Sequence, residues 1–401
     1  MWLYILHAIV HLTGAYAFVL TFFMFLCFLG GVISFPRLRY FNSLDVLVLA
    51  FVIYIFLNTI TIDYSNHLEF LVFAFFFQFC PLLCYFIART NDLELETIFK
   101  KMMVPITIIM VLGLYFHLAQ PEWYNAAKWA VMYERYGAYI TENQIQEHMR
   151  LTSIFNSSYY VAYATFFYSA YLLYTLTFKE LNKGTKLLYM SLLFICVVVL
   201  LFANHRSTIL GFLIAYLYCF LKGKNKIMRR YMILGAFLIA AITIVVIFSS
   251  EEYLNYIMMR FEGVTTEEGF EGRFEHTRGE QNILTVFGGG YGRYSIRARE
   301  YGGWSLIDSQ YQNVLGELGI VGLILFMLIL LVASLKAVHY KKRLGLELCV
   351  LLFFLPAFLG ASALTIDSEY PFIFWYVLGK ISLKGSRISF KVAPLALKTA
   401  V

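Results

Sequence analysis

The chain has 401 residues, of which 60% are hydrophobic and 14% charged, with a formal net charge of +7 and a mean hydropathy of +0.70. A soluble domain carries roughly a quarter charged residues, so a chain this apolar lacks the polar surface to cover itself in water. That excludes soluble enzymes, disordered regulators and nucleic-acid modules, and leaves an all-α polytopic membrane protein.

Taken in chain order, apolar runs able to cross about 30 Å of hydrocarbon, about 20 residues each, lie near 8–33, 44–61, 68–88, 100–119, 154–177, 186–204, 207–222, 231–249, 313–335, 346–365 and 370–383. They predict about 11 transmembrane helices, or 10–12 if the runs are divided differently. The stretch Trp2–Ile33 is long for one helix and short for two, has no basic leader or small-residue cleavage site, and is counted once. The expected organisation is N-terminal transmembrane helices over 1–118, an external aromatic loop over 119–153 and central transmembrane helices over 154–249. A large external catalytic loop over 250–312, C-terminal transmembrane helices over 313–383 and a cytoplasmic tail over 384–401 complete it.

Alternate loops carry the lysines: Lys100 and Lys101, Lys179 to Lys186, Lys222 to Lys226, Lys336 to Lys342, and the tail from Lys380. Basic loops face the cytoplasm, so the net charge is topological and no nucleic-acid partner is expected. The opposite loops hold one lysine, Lys128, against nine arginines. A guanidinium grips phosphate oxygens bidentately and keeps its charge at membrane depth, which an external diphosphate ligand would require. Pairing with loop glutamates is the plainer account for Arg260, Arg293, Arg297 and Arg299. The six cysteines fall in apolar runs and read as small buried hydrophobes. No His-Glu-x-x-His or Asp-x-Asp grouping occurs, so neither a metal nor another cofactor is expected.

The outer segments hold the chemistry. Trp123, Trp129, Tyr133, Tyr136 and Tyr139 suit an interfacial helix or a platform for sugar rings. Arg150 precedes Leu-Thr-Ser-Ile-Phe-Asn156, a polar junction that either binds phosphate or sugar or caps a helix. Arg206 stands between two apolar runs at the membrane boundary, a costly place for a cation without a use. Ser207 is expected to cap the following helix, next to backbone N–H groups suited to an anion. The cluster Phe287-Gly-Gly-Gly290-Tyr-Gly292 is no phosphate-binding Walker loop; it reads as a tight turn letting backbone approach a ligand or another helix. Asp308 enters a helix with Ser309, and suits either a helix cap or a general base at the outer boundary.

In order, Arg150-Leu-Thr-Ser-Ile-Phe-Asn156, Asn204-His-Arg-Ser-Thr-Ile-Leu-Gly211, Gly272-Arg273, Gly288-Gly-Gly-Tyr-Gly292 and Asp308-Ser-x-Tyr-x-Asn-x-x-x-Glu317-Leu-Gly-Ile-Val-Gly322 resemble the O-antigen ligase and O-antigen polymerase superfamily, from about Arg150 to Gly379. The resemblance implies a large external loop folded over a periplasm-facing cavity in the bacterial inner membrane, and metal-independent transfer of polyprenyl-diphosphate-linked glycans. It implies Arg206 and Arg273 as diphosphate-gripping arginines, with Arg150 and Arg278 assisting. Asp308 stands where ligases carry a histidine, which favours a polymerase of lipid-linked repeat units over a ligase acting on lipid A core. His276 and Glu317 are further candidates for the base. The expected partners are the lipid-linked oligosaccharide, membrane lipid and a chain-length regulator; a flippase of the same glycans is a third reading. It would want cations along its spans, and the long apolar runs hold no such ladder.

Overall fold

In a bilayer every peptide group must find its partner within the segment, so long apolar runs become helices. The computed structural model describes residues 16–38, 41–61, 71–72, 74–126, 128, 150–153, 158–223, 230, 233, 285–293, 309–341, 344–360, 363–364 and 370–386. Among these residues the regular structure is helical. The helices are α1 (Tyr16–Ser34), α2 (Ser43–Thr61), α3 (Cys80–Thr90, entered through a π-helical turn Phe75–Phe79), α4 (Leu95–Ala119), α5 (Ser158–Phe178), α6 (Lys183–Ala203) and α7 (Arg206–Lys222). Then follow α8 (Gln310–His339), α9 (Gly345–Gly360) and α10 (Tyr370–Ser386). Helix covers at least part of each apolar run except 231–249, which lies outside the described residues apart from Ile233. Among the described residues α2, α4, α6 and α8 are long and apolar enough to cross a membrane, with shorter apolar helices at Met24–Arg37, Cys80–Thr90 and Gly345–Leu359.

The chain divides into two compact units, Met1–Tyr16 with Phe99–Gly279, and Ala17–Ile98 with Glu280–Val401. In the first, α5 is the central element. It is buried along nearly its whole length and packs against α6 and α7. Its buried faces are filled by Tyr163, Phe166, Tyr168 and Tyr171. Asn182 caps α6 by accepting from Thr185 N–H at 2.7 Å, and Asn204 closes it in the left-handed conformation at φ 45°.

In the second unit, α3 packs along α10 and α2 along α8. One end of this bundle is tied together by ions. Asp45 at the start of α2 is fully buried and accepts from Arg89 Nε of α3 at 3.1 Å, from Tyr85 OH, and from Ser382 Oγ of α10 at 2.6 Å. Lys336, near the end of α8, donates to Asn42 Oδ1 at 2.6 Å. Lys384 bridges Glu347 at 2.7 Å and Glu94 at 2.6 Å. The start of α2 thus meets the ends of α3, α8 and α10, the relative directions that alternation of the basic loops predicts. The opposite ends of these helices carry the candidate site of this unit.

Candidate functional site

In the first unit the polar junctions converge on His205. The segment Arg150–Ser153 is a buried strap: Leu151 N–H donates to Phe202 O at the end of α6 at 3.1 Å, and Ser153 Oγ donates to Ile109 O of α4 at 2.7 Å. Tyr124 OH donates to Ser153 O at 2.6 Å, and Lys128 Nζ donates to Arg150 O at 3.1 Å. Arg150 itself is only 7% exposed. His205, 6% exposed, meets the Tyr159 ring edge-on at 4.3 Å, and its Nδ1 shares a hydrogen bond with Ser207 Oγ at 3.1 Å. Burial, and then the Arg150 charge, lower its pKa to about 3. The imidazole is therefore neutral at neutral pH.

The helix start differs from the sequence expectation. Ser207 does not cap α7: His205 occupies the cap position with no side-chain cap hydrogen bond, the helix opens at Arg206, and Ser207 turns to the imidazole. Ser207 falls inside the first turn, past the cap position, and its hydroxyl is engaged by the imidazole instead. Arg206 is exposed on the first turn while its neighbours His205 and Ser207 are buried, so the junction pairs an outward guanidinium with a buried one at Arg150.

In the second unit the glycine cluster and the start of α8 interlock. Gly319 has φ 66° and ψ −167°, which breaks α8 into two pieces. In an unbroken helix Ile320 and Val321 would donate to Gly316 and Glu317. Here Ile320 N–H donates to Thr285 O at 3.1 Å and Val321 N–H to Val286 O at 3.3 Å. The carbonyls they leave are taken by Gly289 N–H on Gly316 O at 2.7 Å and Gly290 N–H on Glu317 O at 3.1 Å. Tyr54 OH donates to Leu318 O at 2.7 Å. Side chains are excluded at the crossing: a Cβ on Gly288 would lie 2.3 Å from Glu317 O, and one on Gly319 2.4 Å from Val286 O. The glycine turn approaches another helix, one of the two uses open to it, and the span expected as continuous over 313–335 is broken near its start.

The break leaves Glu317, 2% exposed, accepting from Gln78 Nε2 at 3.2 Å. A cavity of about 30 Å³, room for about one water molecule, lies among Gln78, Gln310, Asn313, Glu317, Tyr291 and Trp375. Ser309 sits at the cap position of α8, but its hydroxyl donates to Phe358 O at 3.2 Å rather than capping. Gln78 comes from the π-helical turn; such turns are frequent at functional sites. It was not singled out from the sequence, where its signal is one amide inside an apolar run. Asn58 was missed as well. Its amide donates to Phe287 O at 2.6 Å and its Oδ1 accepts from Tyr291 N–H at 3.1 Å.

Of the candidate residues, Arg150 and Arg206 belong to the first unit and Glu317 to the second. Arg273, His276, Arg278 and Asp308 lie outside the described residues, as do Trp129, Tyr133, Tyr136 and Tyr139. Trp123 is exposed and stacks edge-on against Phe116 at 5.3 Å.

Apolar helices of membrane-crossing length with polar junctions buried at their ends define a multi-pass membrane protein. Residues 191–327, about a third of the chain, match the family model described as O-antigen ligase, which supports the O-antigen ligase/polymerase superfamily. Members of that family are glycosyltransferase-like enzymes acting on lipid-linked glycans. No curated protein matches the chain. The matched range runs from α6 past the break in α8, and so includes both Arg206 and the interlocked motifs.

Proposed function

We propose that the chain is a polymerase of lipid-linked polysaccharide repeat units, such as O-antigen, capsule or exopolysaccharide units, working at the external face of a bacterial cytoplasmic membrane. The observation that carries this reading is the joining of two motifs of the resemblance, Gly288-Gly-Gly-Tyr-Gly292 and Glu317-Leu-Gly-Ile-Val-Gly322, within the range matched by the family model. In the proposed reaction a hydroxyl of the incoming repeat unit attacks the anomeric carbon of a chain held on polyprenyl diphosphate. The new glycosidic C–O bond forms as the bond to the diphosphate oxygen breaks, and a single displacement inverts the carbon. Asp308, or else His276 or Glu317, takes the hydroxyl proton. The diphosphate leaves as a stabilised anion and needs no general acid. Arg206 and Arg273 neutralise its charge, assisted by Arg150 or Arg278; losing one such donor costs about 3–4 kcal/mol of transition-state stabilisation.

The second reading is a ligase that moves finished polysaccharide onto lipid A core. It differs only in acceptor, and the aspartate at position 308, where ligases carry histidine, favours the polymerase. Purified protein given only lipid-diphosphate-linked repeat units should lengthen them; no product until lipid A core is added would make it a ligase. In cells, Arg206→Lys and Arg273→Ala should each shorten the polymer. If both left full-length polymer unchanged, the diphosphate-gripping role would be wrong.

A further inference from the structure

Two side chains at the interlock come from α2, a helix that carries none of the motifs. Tyr54 and Asn58 are four residues apart and so share a helix face. Tyr54 satisfies Leu318 O on the broken helix, and Asn58, 3% exposed, holds the loop at both Phe287 O and Tyr291 N–H. An amide that uses its donor and its acceptor on one short segment fixes both the position and the rotation of that segment, as a neighbouring peptide would. The four backbone bonds between 285–290 and the break do not involve Asn58. Removing its amide should therefore loosen the end of the loop at 287–291 while leaving the broken helix joined.

We propose that Asn58 is a positioning residue for glycan transfer. It holds 285–293 against the break in α8, so that this segment and the short helix bearing Asn313 and Glu317 stay in one register. This role rests on the transferase reading above. Misplacing reacting groups by about 1 Å costs on the order of 100-fold in rate, whereas an anchor remote from the substrate leaves its binding nearly unchanged.

The test uses the full-length protein with Tyr291→Cys as a reporter, a position within 287–291 that is only 7% exposed and keeps its backbone N–H for Asn58, against native cysteines that are buried. Labelling by a membrane-impermeant maleimide reads the loop, and kcat and KM on lipid-diphosphate-linked repeat units read the chemistry. Asn58→Leu should raise the labelling rate and lower kcat by about 100-fold, with KM within about threefold. Asn58→Asp mimics the amide only while its carboxyl is protonated, so it should recover activity at acid pH relative to the parent and lose it as pH rises. Unchanged labelling in Asn58→Leu, or an Asn58→Asp profile parallel to the parent's, overturns the proposal. Faster labelling with unchanged kcat also overturns it, and leaves the transferase reading intact. A parent with no transfer activity on any lipid-linked acceptor sinks the transferase reading, and the positioning role with it, even where labelling upholds the two hydrogen bonds.

Discussion

His205 shows how one residue ties burial to pH. Its pKa falls from an ordinary 6.5 to about 3, first through burial and then through the Arg150 charge. A depressed pKa means the folded protein binds fewer protons than the unfolded chain between those values. The stability His205 contributes is thus present above about pH 6.5 and is lost as pH falls toward 3. Thermal unfolding in detergent should show a midpoint that drops through this window, and a drop that is smaller in His205→Gln. Arg150→Leu should raise the imidazole pKa yet leave it below 6.5, because burial is the larger cause; a value at or above 6.5 by NMR titration would show that charge dominates. The sequence placed Arg150 and His205 at two polar junctions 55 positions apart. Nothing in either stretch tells that a strap through Ser153 brings them into electrostatic range, since that depends on the turn of Ser153 at φ 55° and its bond to α4.

At the scale of elements, the helices were legible and their irregularities were not. Hydrocarbon dictates that a run of about 20 apolar residues closes its own hydrogen bonds, so the runs at 44–61 and 186–204 became α2 and α6 within a few residues. The break in α8 leaves no such trace, because Leu318-Gly-Ile-Val-Gly322 is as apolar as the helix that follows it. Its partner could be read only in kind: the glycine cluster announced a close approach without saying to what. The amides of Asn58 and Gln78 were legible as letters but not as contacts, each being a single polar residue whose partner lies more than 200 positions away. Gly319→Ala puts a Cβ 2.4 Å from Val286 O at a positive φ, and should cost about 2–4 kcal/mol of stability. Denaturant titration of the purified protein checks this, and a cost under about 0.5 kcal/mol would mean that the two segments do not interlock.

For the whole molecule, the distribution of charge makes a claim about sidedness. In the second unit the carboxylate of Asp45 gathers Arg89, Lys336 acts through Asn42, and Lys384 bridges two glutamates, all at one end of the bundle. The glycine interlock occupies the other ends of the same helices. A reporter enzyme fused after Gly290 should be active only outside the cytoplasm and one fused after Lys341 only within it; the reverse pattern would remove the external chemistry proposed for Arg206 and Asp308. The interlock has a consequence for covalent continuity. Residues 285–290 grip both pieces of α8 through four backbone hydrogen bonds, so the upstream polypeptide is fastened to the downstream one at a point other than the chain itself. A protease site engineered between 293 and 309 should yield two fragments that migrate separately in denaturant yet co-purify through a single affinity tag.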